Sequence, residues 1–202
     1  MPLQVKRLPE ALKWSQAACT HVLKTKKMDG ANWDQYSSAA RSWEHCVGRF
    51  GRSARRCEPL KTEVDKCVYD VVRPKIQVFL RGSTTGMLQR IRFMAETAAK
   101  NSCGNCGEFS AVAFIYLYDK GVRPIDWMSL TGGDHAFVVI GRAAGDANDV
   151  DQWGSIAAVC DPWGQGFRGG DKKTGTYPGT KFKTQMGGLV SFTGVKSIHR
   201  EA

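Results

Sequence analysis

The sequence predicts an α+β fold in which one buried helix packs on an antiparallel sheet, preceded by a helical N-terminal region. Three observations carry this. Residues 8 to about 100 place apolar side chains at helical intervals. Residues 106–117 are apolar on nearly every side, the signature of a central helix. Past residue 121 the chain turns to short β-rich runs separated by Gly and Asp. "RGSTTG" near Gly82 reads as a linker, which divides the chain into a region 1–80 and a unit 81–202.

The elements follow in order. "LPEALKWSQAACTHVLK" spaces Leu8, Leu12, Ala18 and Val22 at helical intervals, with Pro9 suited to a first turn. "MDGANWDQYSSAARSWEHCVGRF" offers Asp29 or Asn32 as an N-cap. It puts Trp33, Tyr36, Ala40, Trp43 and Val47 on one stripe, and Gly51 and "GRSARR" break it. "LKTEVDKCVYDVV" predicts a short helix stopped by Pro74, and "MLQRIRFMAETAAK" another that leads into "SCGNCGEFSAVAF". "RPIDWMSL", "DHAFVVIGR", "SIAAVCD" and "GLVSFTGVKSI" are the strands.

Composition narrows the setting. The 29 Lys+Arg against 19 Asp+Glu give a formal charge of +10, which suits contact with an anionic surface or is simply a solvated basic face. No nucleic-acid-reading motif accompanies it. Seven Cys at irregular spacing (Cys19, Cys46, Cys57, Cys67, Cys103, Cys106, Cys160) read as thiols of a reducing compartment rather than a disulfide framework. The N-terminus lacks the apolar run of a Sec-type signal peptide, and no apolar run approaches membrane-spanning length.

The chemistry concentrates at Cys106. Asn105 and Glu108 fit a capping box, so Cys106 is the first residue of the buried helix. There the free amides and the positive end of the helix dipole stabilise a thiolate. Gly104 and Gly107 leave room beside it for a backbone or a substrate. A buried structural cysteine is the plainer alternative. A nucleophile needs a base: of four His, His135 stands at the mouth of an apolar strand. Asp161 ends the strand expected to pair with it, where it would hold the ring.

These blocks, "GNCGE", "DHAFVVIG" and "CDPW", resemble the three catalytic blocks of papain-like cysteine hydrolases, and more closely the bacterial effector and toxin domains of that fold. The resemblance covers roughly residues 88–165. It implies Cys106 as nucleophile, His135 as general base and acid, and Asp161 as the group that orients the imidazole, with Trp163 shielding that last pair. It also implies a secreted effector that deamidates Gln or Asn of a host cytosolic protein, or else cleaves it, without a Sec leader, metal or organic cofactor. The Gln that papain-type proteases carry before the nucleophile is missing. Asn101 or Gln165, with the Cys106 amide, are the candidate oxyanion donors. Residues 1–80 are expected to serve delivery or target recognition.

Other readings remain at this point. "CGNC" is a C-x-x-C at a helix start, as in redox proteins, but the preceding segment is helical rather than a strand. Zinc would need a second Cys pair. A peptidoglycan amidase shares the papain-like fold, and the cationic surface suits an anionic wall. Cys103 is a candidate redox latch, closing on Cys106 under oxidising conditions.

Overall fold

The computed structural model describes residues 2–30, 49, 62–166, 175–187 and 193–202. The stripe expected at Trp33–Val47 and the break at Gly51 lie outside them. The chain is mixed α and β with an antiparallel sheet. A two-residue strand β1 (Leu3–Gln4) leads to helix α1 (Leu8–Thr20), with Pro9 in its first turn as expected; α1 loosens into a π-type turn over His21–Thr25. After β2 (Asp29–Gly30) comes a helix α2 in three registers: Glu63–Lys66, a π-type stretch Cys67–Val72, and Arg73–Gly82. Thr62 caps it, accepting from the Asp65 amide while the Asp65 carboxylate accepts from the Thr62 amide.

Here the structure corrects the sequence. Pro74 does not end the helix. It falls in the first turn of the final register, just after the π stretch, and the helix runs on through it to Gly82. Helix α3 (Met87–Asn101) follows, and Ser102 turns the chain with a left-handed φ of 56° into β3 (Cys103–Gly104). β3 pairs in parallel with β2, Asp29 opposite Cys103. Helix α4 (Cys106–Asp119) then runs through the centre, with Phe109 to Ile115 all buried.

The sheet has the order β8-β7-β6-β5-β9, all antiparallel, with β5 Ile125–Thr131, β6 Ala136–Ile140, β7 Ala158–Cys160, β8 Thr176–Pro178 and β9 Gly194–Glu201. β4 (Val122–Arg123) precedes it and pairs with β1. Strand alternation divides the apolar side chains between two cores. Ile125, Trp127, Val138, Ile140, Ala158 and Cys160 face α4 and α1. Met128, Leu130, Phe137, Val139 and Val159 face the other way, onto Trp153, Phe182 and Met186. The Trp127 indole donates to Ser110 Oγ at 2.8 Å, which pins the sheet to the first turns of α4. Short helices α5 (Pro162–Gly166) and α6 (Phe182–Gly187) follow β7 and β8.

The expected division at residue 80 falls inside α2. Val5, Ala11, Ala18, Val68 and Ile76 belong to the same core as Phe109 and Val138, and Ser15 Oγ donates to Val159 O at 2.7 Å. The described residues of the N-terminal stretch thus help build the unit that carries the site. Among the described residues no helix is long and apolar enough to cross a membrane, and no group of three or more His, Cys, Asp or Glu side chains is placed to hold a metal ion.

One buried charge fastens the far edge. Asp126 is fully buried; Oδ1 accepts from Arg142 Nη2 at 2.9 Å and Ser197 Oγ at 3.1 Å, and Oδ2 from Arg200 Nη1 at 2.6 Å. Asp126→Ala leaves Arg142 buried without its carboxylate and is expected to cost about 3–5 kcal/mol in urea unfolding. Lys183→Ala, which removes an exposed pair with Asp151, should stay within about 0.5 kcal/mol of wild type.

Candidate active site

Three chain segments converge at the head of α4. Cys106 is its first residue, half-buried, with its Sγ 3.8 Å from the carbonyl oxygen of Asp134. His135 sits just before β6 and is buried. Asp161 follows β7 directly and is also buried. The antiparallel register that sets Val138 opposite Cys160 brings the start of one strand beside the end of the next. His135 Nε2 and Asp161 Oδ2 are 2.9 Å apart. The Cys106 thiol lies close enough to the His135 ring to favour its charge. The three residues singled out in the sequence are therefore brought together at the head of α4, His135 and Asp161 by a hydrogen bond and Cys106 beside the turn that carries the ring.

Asp161 is held in turn. Oδ1 accepts from the Gly164 amide at 3.0 Å, and its own amide donates to Gly175 O at 2.7 Å. A Cβ on Gly164 would strike Asp161 Oδ2, so only glycine lets this backbone approach the carboxylate. The Trp163 ring stands 5.2 Å from the imidazole at a tilt of 57°, closing the His135–Asp161 pair against water. On the other side, a Cβ on Gly107 would have no neighbour within 4 Å among the described residues, which leave the face beside Cys106 uncovered.

The electrostatics favour a charged ring. Burial by itself would lower the His135 pKa. The Asp161 charge and hydrogen bond, reinforced by the Cys106 sulfur, outweigh it and raise the value from 6.5 to about 10.

Glu108 anchors the helix head as the capping pattern predicted in part: its Oε2 accepts from the Asn105 amide at 2.8 Å. The rest of its environment was not legible. Glu108 Oε1 accepts from Arg73 Nε at 3.2 Å, and Asn105 Nδ2 donates to Tyr69 Oη at 3.1 Å. The Arg73 guanidinium also lies over the Tyr69 ring at 4.9 Å. Burial works against the Arg73 charge, but Glu108, Tyr69 and the Cys106 sulfur more than restore it. The sole local signal was the four-residue spacing of Tyr69 and Arg73, which puts both on one helix face.

The oxyanion and latch expectations fare differently. The Asn101 side-chain amide donates to Thr97 O at 2.7 Å within its own helix. Gln165 lies in α5, and its side chain falls outside the described ones. The Cys103–Cys106 latch is corrected: Cys103 forms a disulfide with Cys67, with Cα atoms 6.3 Å apart. Its partner is set by the packing of β3 against α2, not by sequence proximity. The Sγ atoms of Cys19 and Cys160 lie 3.8 Å apart in the core. Among the described residues the free cysteines are Cys19, Cys106 and Cys160, of which Cys106 lies at this site.

Comparison with protein-family models, characterised proteins and solved structures finds no match to the chain.

The His135 charge sets a pH dependence. An unfolded imidazole titrates near 6.5, so above that pH the folded chain keeps a proton the unfolded chain has released. The resulting stabilisation is full below 6.5 and is lost as pH rises toward 10. The urea midpoint of wild type should fall between about pH 7 and pH 9.5, and the part of that fall due to the pair should vanish in His135→Gln.

Proposed function

We propose that the chain is a papain-like cysteine hydrolase that acts on carboxamides through a thioester, with deamidation of a Gln or Asn side chain of a target protein as its reaction. The observation that carries the reading is the convergence of half-buried Cys106 with the buried His135–Asp161 pair, beside a face that the described residues leave uncovered. The choice of deamidation over proteolysis, and of an effector acting on another cell, is supported by the resemblance of the three sequence blocks.

The steps follow from the geometry. Cys106 Sγ attacks the carboxamide carbon as its proton rests on the imidazole. The C–N bond breaks while His135 Nδ1–H passes its proton to the leaving nitrogen, releasing ammonia from a side chain or an amine from a peptide bond. Water then adds to the thioester, the C–S bond breaks, and the acid leaves with the thiolate restored and the imidazole reprotonated. Asp161 holds the ring and offsets its charge throughout. The amides of Cys106 and Gly107, in the first turn of α4, have no intrahelical acceptor and supply donors for the developing oxyanion.

A second reading is favoured by one observation. The Cys67–Cys103 disulfide belongs with oxidising compartments, and a cell-wall peptide amide would be met there.

The deciding experiment incubates wild type and Cys106→Ala with a eukaryotic cell lysate and, separately, with peptidoglycan sacculi, and follows both by mass spectrometry. Gln→Glu or Asn→Asp conversions seen with wild type alone are the expected result. New peptide termini would make it a protease, and new amines on the sacculi a wall amidase. No Cys106-dependent change in any arm would overturn the hydrolase reading.

A further inference from the structure

Two segments that share no sequence neighbourhood meet around the nucleophile, and they are joined three times. The Cys67–Cys103 disulfide links them covalently. Asn105 Nδ2 reaches Tyr69 Oη at 3.1 Å, and Glu108 Oε1 reaches Arg73 Nε at 3.2 Å. Cys67, Tyr69 and Arg73 all lie on α2; Cys103, Asn105 and Glu108 flank Cys106. Each side chain on α2 that touches the nucleophile's turn is therefore within six residues of the covalent tie.

The arrangement matters because Glu108 is a buried carboxylate two residues from the nucleophile. Among the described residues, the Cys106 sulfur lies 3.8 Å from the Asp134 carbonyl oxygen and within electrostatic reach of the His135 ring, which Asp161 holds, and of Arg73 on α2. Arg73 neutralises Glu108 and stands within electrostatic reach of Cys106, yet its side chain is one-third exposed and is not held by burial alone. If α2 shifted, Glu108 would present uncompensated negative charge to the attacking sulfur.

Resting on the cysteine-hydrolase reading, we propose that Arg73 is a positioning residue for Cys106, that the Cys67–Cys103 disulfide holds it in place, and that the oxidised protein is the competent form. Such a form persists where the substrate is met in an oxidising compartment, the setting of the second reading above, rather than in the host cytosol that the sequence resemblance implies. Reduction by a thiol such as glutathione puts two electrons and two protons on Cys67 and Cys103, breaks their S–S bond and leaves the reductant as its disulfide. Re-formation runs by exchange with an oxidised thiol partner.

The test reads the nucleophile without any substrate. In the full chain, the rate of carboxamidomethylation of Cys106 by iodoacetamide is followed by mass spectrometry against pH, for oxidised wild type, Arg73→Gln, Arg73→Lys and the double variant Cys67→Ser/Cys103→Ser. Near pH 6, Arg73→Gln and the double variant are expected to react about tenfold more slowly than wild type, with the rising limb of the profile displaced upward. Arg73→Lys should recover part of the loss. Profiles of Arg73→Gln that superimpose on wild type would overturn the positioning role. If the double variant fails to fold by near-UV circular dichroism, wild type equilibrated with glutathione takes its place, and an unchanged rate after loss of the Cys67–Cys103 bond overturns the redox role. A displaced profile with no carboxamide turned over would count against the hydrolase reading alone.

Discussion

A carboxylate buried at the head of a buried helix must find a cation and a backbone donor, and much of this structure follows from how Glu108 finds them. One oxygen takes the Asn105 amide, which sets the first turn of the helix and the direction of the Cys106 side chain. The other takes Arg73, which draws the helix Arg73–Gly82 against the nucleophile's turn. A charge so enclosed costs several kcal/mol to desolvate unless both contacts persist, so the pair constrains α2 as much as it constrains α4. Hydrophobic packing brings these elements together, and Glu108 decides the register in which they stop.

The Cys106–His135–Asp161 site is built at ends rather than middles of elements. Cys106 begins a helix, His135 precedes a strand and Asp161 follows one. Side chains in the middle of β6 and β7 are spent on the two cores, while at the ends the backbone leaves the ladder and side chains can converge. Antiparallel pairing of β6 and β7 puts those two ends on the same side of the sheet, and the Trp127–Ser110 bond fixes the sheet against the helix that supplies the sulfur. Rigidity therefore comes from the scaffold, while among the described residues nothing crowds Gly107 beside Cys106.

Much of this was legible locally. The capping pattern of Asn105 and Glu108, the apolar run after His135 and the Pro turn after Asp161 each act within a few residues, and each was read from the sequence. What escaped acts at a distance. Arg73 lies 35 residues from Glu108 and Cys67 lies 36 from Cys103, and nothing in "CVYDVVR" announces partners so far along the chain. Pro74 misled because proline disfavours the interior of a regular α-helix, whereas here it sits where the π stretch gives way to the α register and the helix continues. The expected boundary near residue 80 failed to reflect the packing for a similar reason: α1 looks like an amphipathic surface helix in isolation, yet Ser15, Ala18 and Cys19 bury themselves against the far strands of the sheet.

The cysteine count carries the last step. An odd number suggested unpaired thiols; among the described residues Cys19, Cys106 and Cys160 are free while Cys67 and Cys103 are joined, so thiols and a disulfide coexist in one protein. The danger in such a protein is the neighbour: a thiol three residues from the nucleophile closes on it readily when oxidised. Engaging Cys103 with Cys67 removes that thiol, and does so with a residue on the very helix that brings Arg73 to Glu108. The same bond thus withdraws Cys103 as a free partner for the nucleophile and fixes the charge beside it, which is why the pairing of Cys103 bears on chemistry as well as on stability.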